Sequence, residues 1–245
     1  VVGYAERLTV VERFRDPLGD LIRAPREQAP LLAYFRNNVL HLFALPAVIA
    51  CLVSHNRDLD AARVAQAVAG ICSLMRAELF LRWSGDELAA ASEAIIRVLL
   101  ARALLRHPEA EGRLAAPEPI SQEFVELRLL GETIRPLLER HFLTLALLER
   151  HGSGHLTRPA LEDNCHRLAQ RLSLLYEFNT PEFPENVTFA AFIGNLIEGE
   201  FLHETEDGLL HFDERLLTPL AHSELVLSVE ARQAIRRMAR AGGAA

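Results

Sequence analysis

The chain holds 245 residues, half of them hydrophobic, with a formal net charge of −7. That is enough apolar material for one large domain or two small ones, and the acidic balance argues against a nucleic-acid footprint while leaving room for a local basic patch. Cys51, Cys72 and Cys165 are odd in number, widely spaced and without a CxxC pair, so they read as small core thiols in a reducing compartment, not as a disulfide framework or zinc site.

Thr9 to Phe14 reads as a strand, residues 16–19 as a turn, and Asp20 to Arg23 as the return strand, closed by Pro25. A helix is expected from about Ala29 to His55. Pro30 suits its first turn, and Pro46 is expected to break or kink it near Leu45. Leu31, Phe35, Val39, Leu42, Ile49 and Val53 recur at helical spacing as its inward stripe. Arg36, Asn37, Asn38 and His41 interrupt that apolar run. Asn is a poor helix-interior residue, so something besides propensity selects the pair. Three uses stay open for these four: binding a phosphate or carboxylate, for which Arg has bidentate geometry; satisfying a polar seam between helices; or touching a part of a longer protein. The apolar run Val39–Val53 is shorter than the roughly 20 residues a spanning helix needs. A core helix is the first reading and a segment at a membrane surface the second. The start, Val1-Val2-Gly3, shows no signal-peptide pattern and no initiator Met, and reads as a piece of a longer chain.

Asp58 is placed to cap a helix running to about Arg76 with Val64, Val68, Ile71 and Met75 as its stripe. Leu79 to Trp83 reads as an extended link or strand, and Ser84 with Glu87 as a capping box for a helix to about Arg106, with Leu88, Ile95, Leu99 and Ala103 inward. Pro108, Gly112, Pro117 and Pro119 mark a loop with a weak hairpin signal. Ser121 begins the next helix, Gly131 interrupts it, and Thr133 to His151 continues through Leu137, Leu138, Phe142, Leu145 and Leu148. After the break at residues 152–154, Thr157 and Pro159 start a helix to about Glu177, residues 179–184 form a loop, and Val187 to Gly199 is helical. Glu200 to Glu204 and Leu209 to Asp213 flank a hairpin turn; Asp213 and Ser228 cap two further helices, and Ala241 to Ala245 are expected to be disordered. The chain is therefore expected to be mainly α, multi-helical with two or three small β-hairpins. It divides into residues 1–107, a loop over 108–120, and residues 121–245, whose helix–helix–hairpin order is winged-helix-like. Val187 to Gly199 carries no basic residue, so no nucleic-acid partner is expected.

Three stretches carry a family resemblance in consistent order. The first comprises Leu18-Gly19-Asp20-Leu21-Ile22, Pro25-Arg26-Glu27-Gln28 and Tyr34-Phe35-Arg36-Asn37-Asn38-Val39-Leu40-His41. The second is Ala77-Glu78-Leu79-Phe80-Leu81-Arg82-Trp83, and the third Ala169-Gln170-Arg171-Leu172-Ser173 with Pro181-Glu182-Phe183. Together, from about Val10 to Val229, they resemble the membrane-associated glycerol-3-phosphate acyltransferases of bacteria, in the part downstream of the acyltransferase domain; three ordered matches are more specific than one short motif. The resemblance implies a parent that transfers a fatty acyl group from acyl-ACP or acyl-CoA to sn-glycerol 3-phosphate. The product would be lysophosphatidic acid for phospholipid synthesis, made without a cofactor at the cytoplasmic face of the inner membrane. It implies that this chain is a non-catalytic C-terminal module, inactive alone, whose partners are the upstream acyltransferase domain and the inner-membrane surface. A stand-alone helical interaction or regulatory protein is the alternative.

His55 and Asp60 have the His-x4-Asp spacing of that family's catalytic motif, in which the His deprotonates the glycerol hydroxyl and the Asp orients it. The family's motif lies in the upstream domain with other neighbours, so the pair reads as a decoy, with Asp58 and Asp60 placed to start a helix. No catalytic or metal-binding residue is therefore assigned in this chain. Arg236, Arg237 and Arg240 read as a solvated helix end. Ser153, His155 and Asp163 form no hydrolase pattern, and His203 and His211, on facing hairpin strands, lack a third metal ligand.

Overall fold

The computed structural model describes residues 2–17, 19–57, 59–107, 112–175 and 186–241. The expectations for Leu18, Asp58, Pro108, the 179–184 loop with Pro181-Glu182-Phe183, and residues 242–245 lie outside the described residues. The chain forms two compact units, residues 1–40 and residues 41–245. It is mainly α-helical with small two-stranded antiparallel sheets.

In the first unit a short helix unforeseen in the sequence, α1 (Val2–Arg7), precedes the expected hairpin of β1 (Glu12–Phe14) and β2 (Leu21–Arg23). The register pairs Glu12 with Arg23, Arg13 with Ile22 and Phe14 with Leu21. Arg13 is the local clamp, reaching Glu6 on α1 and Asp20 before β2 at 2.7 Å each. These pairs are solvent-screened, so they orient the hairpin more than they stabilise it. A 3-10 turn over Arg26–Gln28 then leads into α2 (Ala29–His55).

Pro46 does not break α2 as expected; the helix runs through it. A proline removes one i→i−4 hydrogen bond, and here Ala44, Leu45, Ala47, Val48, Ile49 and Ala50 around it are all fully buried. Packing holds the helix across the lost bond. The predicted inward stripe is also corrected. Ile49 and Val53 are buried, but Leu31, Phe35, Val39 and Leu42 are exposed, while Ala33 and Leu40 are the buried positions of the first half.

In the second unit β3 (Leu59–Asp60) leads into α3 (Ala61–Leu79), whose N-cap is Asp60, accepting from the Ala62 N–H at 2.7 Å. The helix runs past Arg76, so the expected extended link begins later. Phe80 closes α3 in the left-handed region, φ 50°, with its own N–H on the Arg76 carbonyl. The capping box before α4 (Gly85–Ala101) is a second correction: Ser84 occupies the N-cap with no side-chain hydrogen bond. The helix stops at Ala101, short of Arg106, and Ala103 is exposed at φ 57°. β4 (Arg113–Leu114) pairs not with a near neighbour but with β3, Leu59 to Leu114.

Ser121 caps α5 (Gln122–Glu132) through the Phe124 N–H at 3.1 Å. Gly131 lies inside this helix, and the chain turns at Thr133 and Ile134 instead. A Cβ at Gly131 would stand 3.0 Å from the Cys51 sulfur, so the glycine is where α2 and α5 approach closely. There follow α6 (Arg135–His151), α7 (Arg158–Leu175), α8 (Asn186–Glu198), the hairpin of β5 (His203–Glu204) and β6 (Leu210–His211), α9 (Glu214–Leu225) and α10 (Val229–Ala241). Asp213 caps α9 through the Arg215 N–H at 2.9 Å, and Ser228 caps α10 through the Ala231 N–H at 3.2 Å. Helix α6 is the hub: every residue from Pro136 to Leu148 is buried, and α5, α7, α8, α9 and α10 pack around it.

The most extensive helix contact is α3 against α9. At its centre a Cβ on Gly70 would stand 2.4 Å from His222 Nδ1. Gly70→Ala should gain about 0.5–1 kcal/mol of helix propensity and lose about 1–3 kcal/mol to overpacking, a net loss. In the background of His222→Ala the same change should become stabilising. Urea midpoints of the four proteins test this; a stabilising Gly70→Ala in the native background contradicts the close contact.

Candidate functional site

Helix α6 carries three consecutive charged or titratable side chains, Glu139, Arg140 and His141, in its fully buried stretch. Successive residues lie about 100° apart, so the three cannot share one face and each needs its own partner. Glu78, in the last turn of α3, supplies two of them. One carboxylate oxygen accepts from the Arg140 guanidinium and the other from His141 Nε2 at 2.8 Å. The His141 ring stacks on Phe192 of α8, 3.7 Å between centroids and 7° from parallel. Glu139 accepts from Arg135 at 2.8 Å, and the Thr144 hydroxyl donates to the Arg140 carbonyl at 3.1 Å. Each hydrogen bond is charge-assisted or fills a backbone need, as buried polar groups require.

Burial pushes the Glu78 carboxyl up, but the hydrogen bond and charge of His141 and the charge of Arg140 outweigh it and hold the group at about 2. Burial lowers His141 from its ordinary value against the pull of Glu78. Burial raises Glu139 to about 7 despite the adjacent Arg135. The cluster clamps α3, α6 and α8 together. Elsewhere in the core, burial pushes the Cys51, Cys72 and Cys165 thiols up to about 12, so none of the three is held as a thiolate.

A second polar region lies at the end of α2. His55, Arg128, Glu132, Arg135, Glu139 and Glu230 line a cleft of about 510 Å³. His55 Nδ1 lies 3.0 Å from the Val226 carbonyl, and burial lowers its pKa. The Asn56 amide donates to the Leu52 and Leu225 carbonyls at 2.8 and 2.6 Å. The Asp60 carboxylate is engaged at the start of α3, so the structure does not bring His55 and Asp60 together as a hydrogen-bonded pair.

Of the four polar residues in the first half of α2, Arg36 is half-buried and Asn37, Asn38 and His41 are exposed. Arg36 donates from Nε and Nη2 to the neighbouring Asn37 Oδ1 at 3.2 and 3.0 Å. Ser153 accepts from the Phe212 N–H at 2.8 Å, while Asp163 pairs with Arg167 at 2.8 Å. His203 and His211 are register partners in the β5–β6 hairpin. Arg236 departs from the solvated reading: it is half-buried and bonds Glu224 of α9 and, at 3.5 Å, Glu149 of α6, whereas Arg237 and Arg240 are exposed.

The sequence reading passed over Glu78, Glu139, Arg140 and His141. Glu78 lies inside the run Ala77–Trp83, and the sequence carries a signal for the others. Residues Phe142, Leu143, Leu145, Ala146, Leu147 and Leu148 leave α6 apolar all round, which marks a helix buried on every side. Charges at its entrance then require partners.

Removing Glu78 leaves the Arg140 charge buried and unpaired, so Glu78→Gln should cost about 3–5 kcal/mol. Acid sensitivity follows with a definite sign. Glu78 is depressed in the folded state, so its contribution is complete above about 4.5 and lost as pH falls toward 2. His141, also depressed, removes stability as pH falls below 6.5, where the unfolded ring takes up a proton more readily. Glu139, raised to about 7, acts oppositely and removes stability as pH rises from 4.5 to 7. Urea unfolding between pH 2 and 5 should show a smaller acid loss in Glu78→Gln than in the native chain; parallel curves would remove the ion cluster from the account.

Comparison with known proteins adds the family. Residues 1–205 match the family described as the glycerol-3-phosphate acyltransferase C-terminal region. The chain is 34% identical over 240 residues to a glycerol-3-phosphate acyltransferase of Xylella fastidiosa strain M12, covering 97% of this chain and 28% of that protein. It is 35% identical over 241 residues to the protein of the same name from Pseudomonas aeruginosa strain UCBPP-PA14, covering 98% of this chain and 28% of that one. A third, from Xanthomonas campestris pv. campestris, is 35% identical over 240 residues, covering 97% of this chain and 27% of the relative. The chain thus spans little more than a quarter of the length of these relatives. On this evidence the chain belongs to the glycerol-3-phosphate acyltransferase C-terminal region family.

Proposed function

We propose that the chain is the non-catalytic C-terminal module of a glycerol-3-phosphate acyltransferase, and that its first unit docks on the acyltransferase domain of the same protein. The parent would move a fatty acyl group from acyl-ACP or acyl-CoA to sn-glycerol 3-phosphate, giving lysophosphatidic acid, while bound peripherally at the cytoplasmic face of the inner membrane. The names of the relatives support the reaction, and the quarter-length match leaves room for a separate catalytic part.

The observation that carries the docking role is the exposed apolar row in the first half of α2. Leu31, Tyr34, Phe35 and Val39 are 42, 61, 56 and 44% exposed, and Phe14, Leu21 and Ile22 of the hairpin are exposed as well. So many large apolar side chains on one small unit mark a surface that another body covers. In the relatives, whose length is nearly four times the matched part, there is room for such a body on the same chain, and that supports this reading. Arg36, Asn37 and Asn38 lie on this segment of α2 and give it polar contacts beside the apolar ones. Helix residues Pro30–His55 are also long and apolar enough to cross a membrane by length and composition, but 56% of the qualifying window is buried within the protein. That favours docking over insertion.

The test uses Leu31→Asp with Phe35→Asp. Both side chains are exposed, so the 245-residue chain should keep its melting temperature. Covering each is worth about 1.5–3 kcal/mol, so affinity for a separately expressed acyltransferase domain should fall by roughly tenfold or more. Undiminished binding would end the docking proposal; binding instead to lipid vesicles would replace it with a membrane face.

In the whole enzyme His55→Ala should leave acyl transfer within about twofold, whereas loss of a true general base costs about 10²–10⁴-fold. The isolated chain, mixed with acyl donor and glycerol 3-phosphate, should form no lysophosphatidic acid. A hundredfold loss in the variant without unfolding, or product from the isolated chain, would make the module catalytic.

A further inference from the structure

Helices α6, α7 and α10 pack together around a pocket of about 120 Å³ in the second unit. Arg150 and His151 enter it from the last turn of α6, and Arg167 and Arg171 from positions one turn apart on α7. The described residues that line it include four basic side chains and no carboxylate. Like charges gathered on one concave surface repel unless a counter-charge sits among them.

Two of the basic groups have partners of their own within the protein. Arg150 is half-buried and donates to the Ala239 carbonyl near the end of α10. Arg167 is exposed and meets Asp163 at 2.8 Å and Asn164 Oδ1 at 3.0 Å, which offsets part of its charge. Glu149, the neighbouring carboxylate on α6, reaches Arg236 at 3.5 Å and is absent from the pocket wall. Arg171 makes no hydrogen bond or ion pair among the described residues. It belongs to the run Ala169–Ser173, one of the stretches on which the family resemblance rests, and neither the ion cluster nor the docking face uses it. Burial, then the charges of Arg150 and His155, lower the His151 pKa, so the ring favours its neutral form.

We propose that this pocket binds a phosphate group, with Arg171 and Arg150 as its principal donors and Arg167 and His151 completing the ring. Guanidinium forks offer paired N–H donors at the spacing of phosphate oxygens and present no competing acceptor. The volume is well below the roughly 300–1,000 Å³ of sites that enclose a drug-sized ligand. The phosphate itself is therefore recognised, and whatever carries it remains outside. The assignment stands independently of the docking role and of the acyl-transfer reaction.

Titration of the 245-residue chain with inorganic phosphate, against chloride at matched ionic strength, tests the site. Phosphate should raise the melting temperature saturably, as a ligand of the folded state does. It should also raise the His151 pKa followed by NMR. Arg171→Gln, an exposed position, should keep the native fold and bind about tenfold more weakly. Arg237→Gln, exposed on α10 outside the pocket, should bind as the native chain does. No response beyond chloride, or an undiminished response in Arg171→Gln, overturns the proposal. Co-sedimentation with vesicles separates two sources of the same chemistry. Binding to phosphatidylglycerol but not phosphatidylcholine, lost in Arg171→Gln, assigns a lipid headgroup; a phosphate response without sedimentation assigns a soluble phosphate ester.

Discussion

A helical stretch with no solvent face needs a partner for every charge on it, and Pro136–Leu148 of α6 is that stretch. Its carbonyls and N–H groups bond internally, so side chains supply the remaining polar demand. Glu78 meets that demand from α3, and Phe192 closes the other side of the His141 ring from α8. A buried ion pair of this kind adds little net stability over an apolar replacement, but breaking it costs several kcal/mol. Its bonds tie the rotation of α6 to the position of α3. Leucine contacts on a helix that is apolar all round would tolerate several rotations.

The elements read most surely from the sequence were those set by short-range chemistry. Ser121, Asp213 and Ser228 each accept from an N–H two or three residues ahead, and each marks a helix start where the sequence placed it. The β5–β6 hairpin and the helices on either side of it follow the same local logic. Pro46 and Gly131 were misread because both are local breakers embedded in dense packing, where tertiary contacts override propensity. The stripe on α2 failed for another reason. From Ala44 to Val53 nearly every residue is buried, so no polar face orients the periodicity, and the stripe extrapolated backward falls on the wrong side. The ion cluster needed contact between residues 63 positions apart, which no spacing rule reveals.

Helix α2 spans two environments. Its second half is core and carries Pro46 without a break, whereas its first half shows solvent Tyr34, Phe35 and Val39. The same contrast holds at smaller scale in the Ala77–Trp83 run. Leu79 and Leu81 are buried and Glu78 is bonded to α6, while Phe80, between them, is 88% exposed in a left-handed conformation. A bulky residue rarely adopts that conformation without a surrounding structure that imposes it. The buried neighbours on both sides provide that constraint.

The junction at the end of α2 bears on how the chain is made. His55 and Asn56 bond the carbonyls of Val226 and Leu225, residues 171 and 169 positions further along. Loop closure over such a distance must precede any return from the contacts it forms, which slows folding of topologies rich in distant pairings. During synthesis the apolar second half of α2 emerges well before the groups that close over its end. For the interval between, a ribosome-bound nascent chain exposes that helix without its cover, and such exposed apolar segments are the ones chaperones protect.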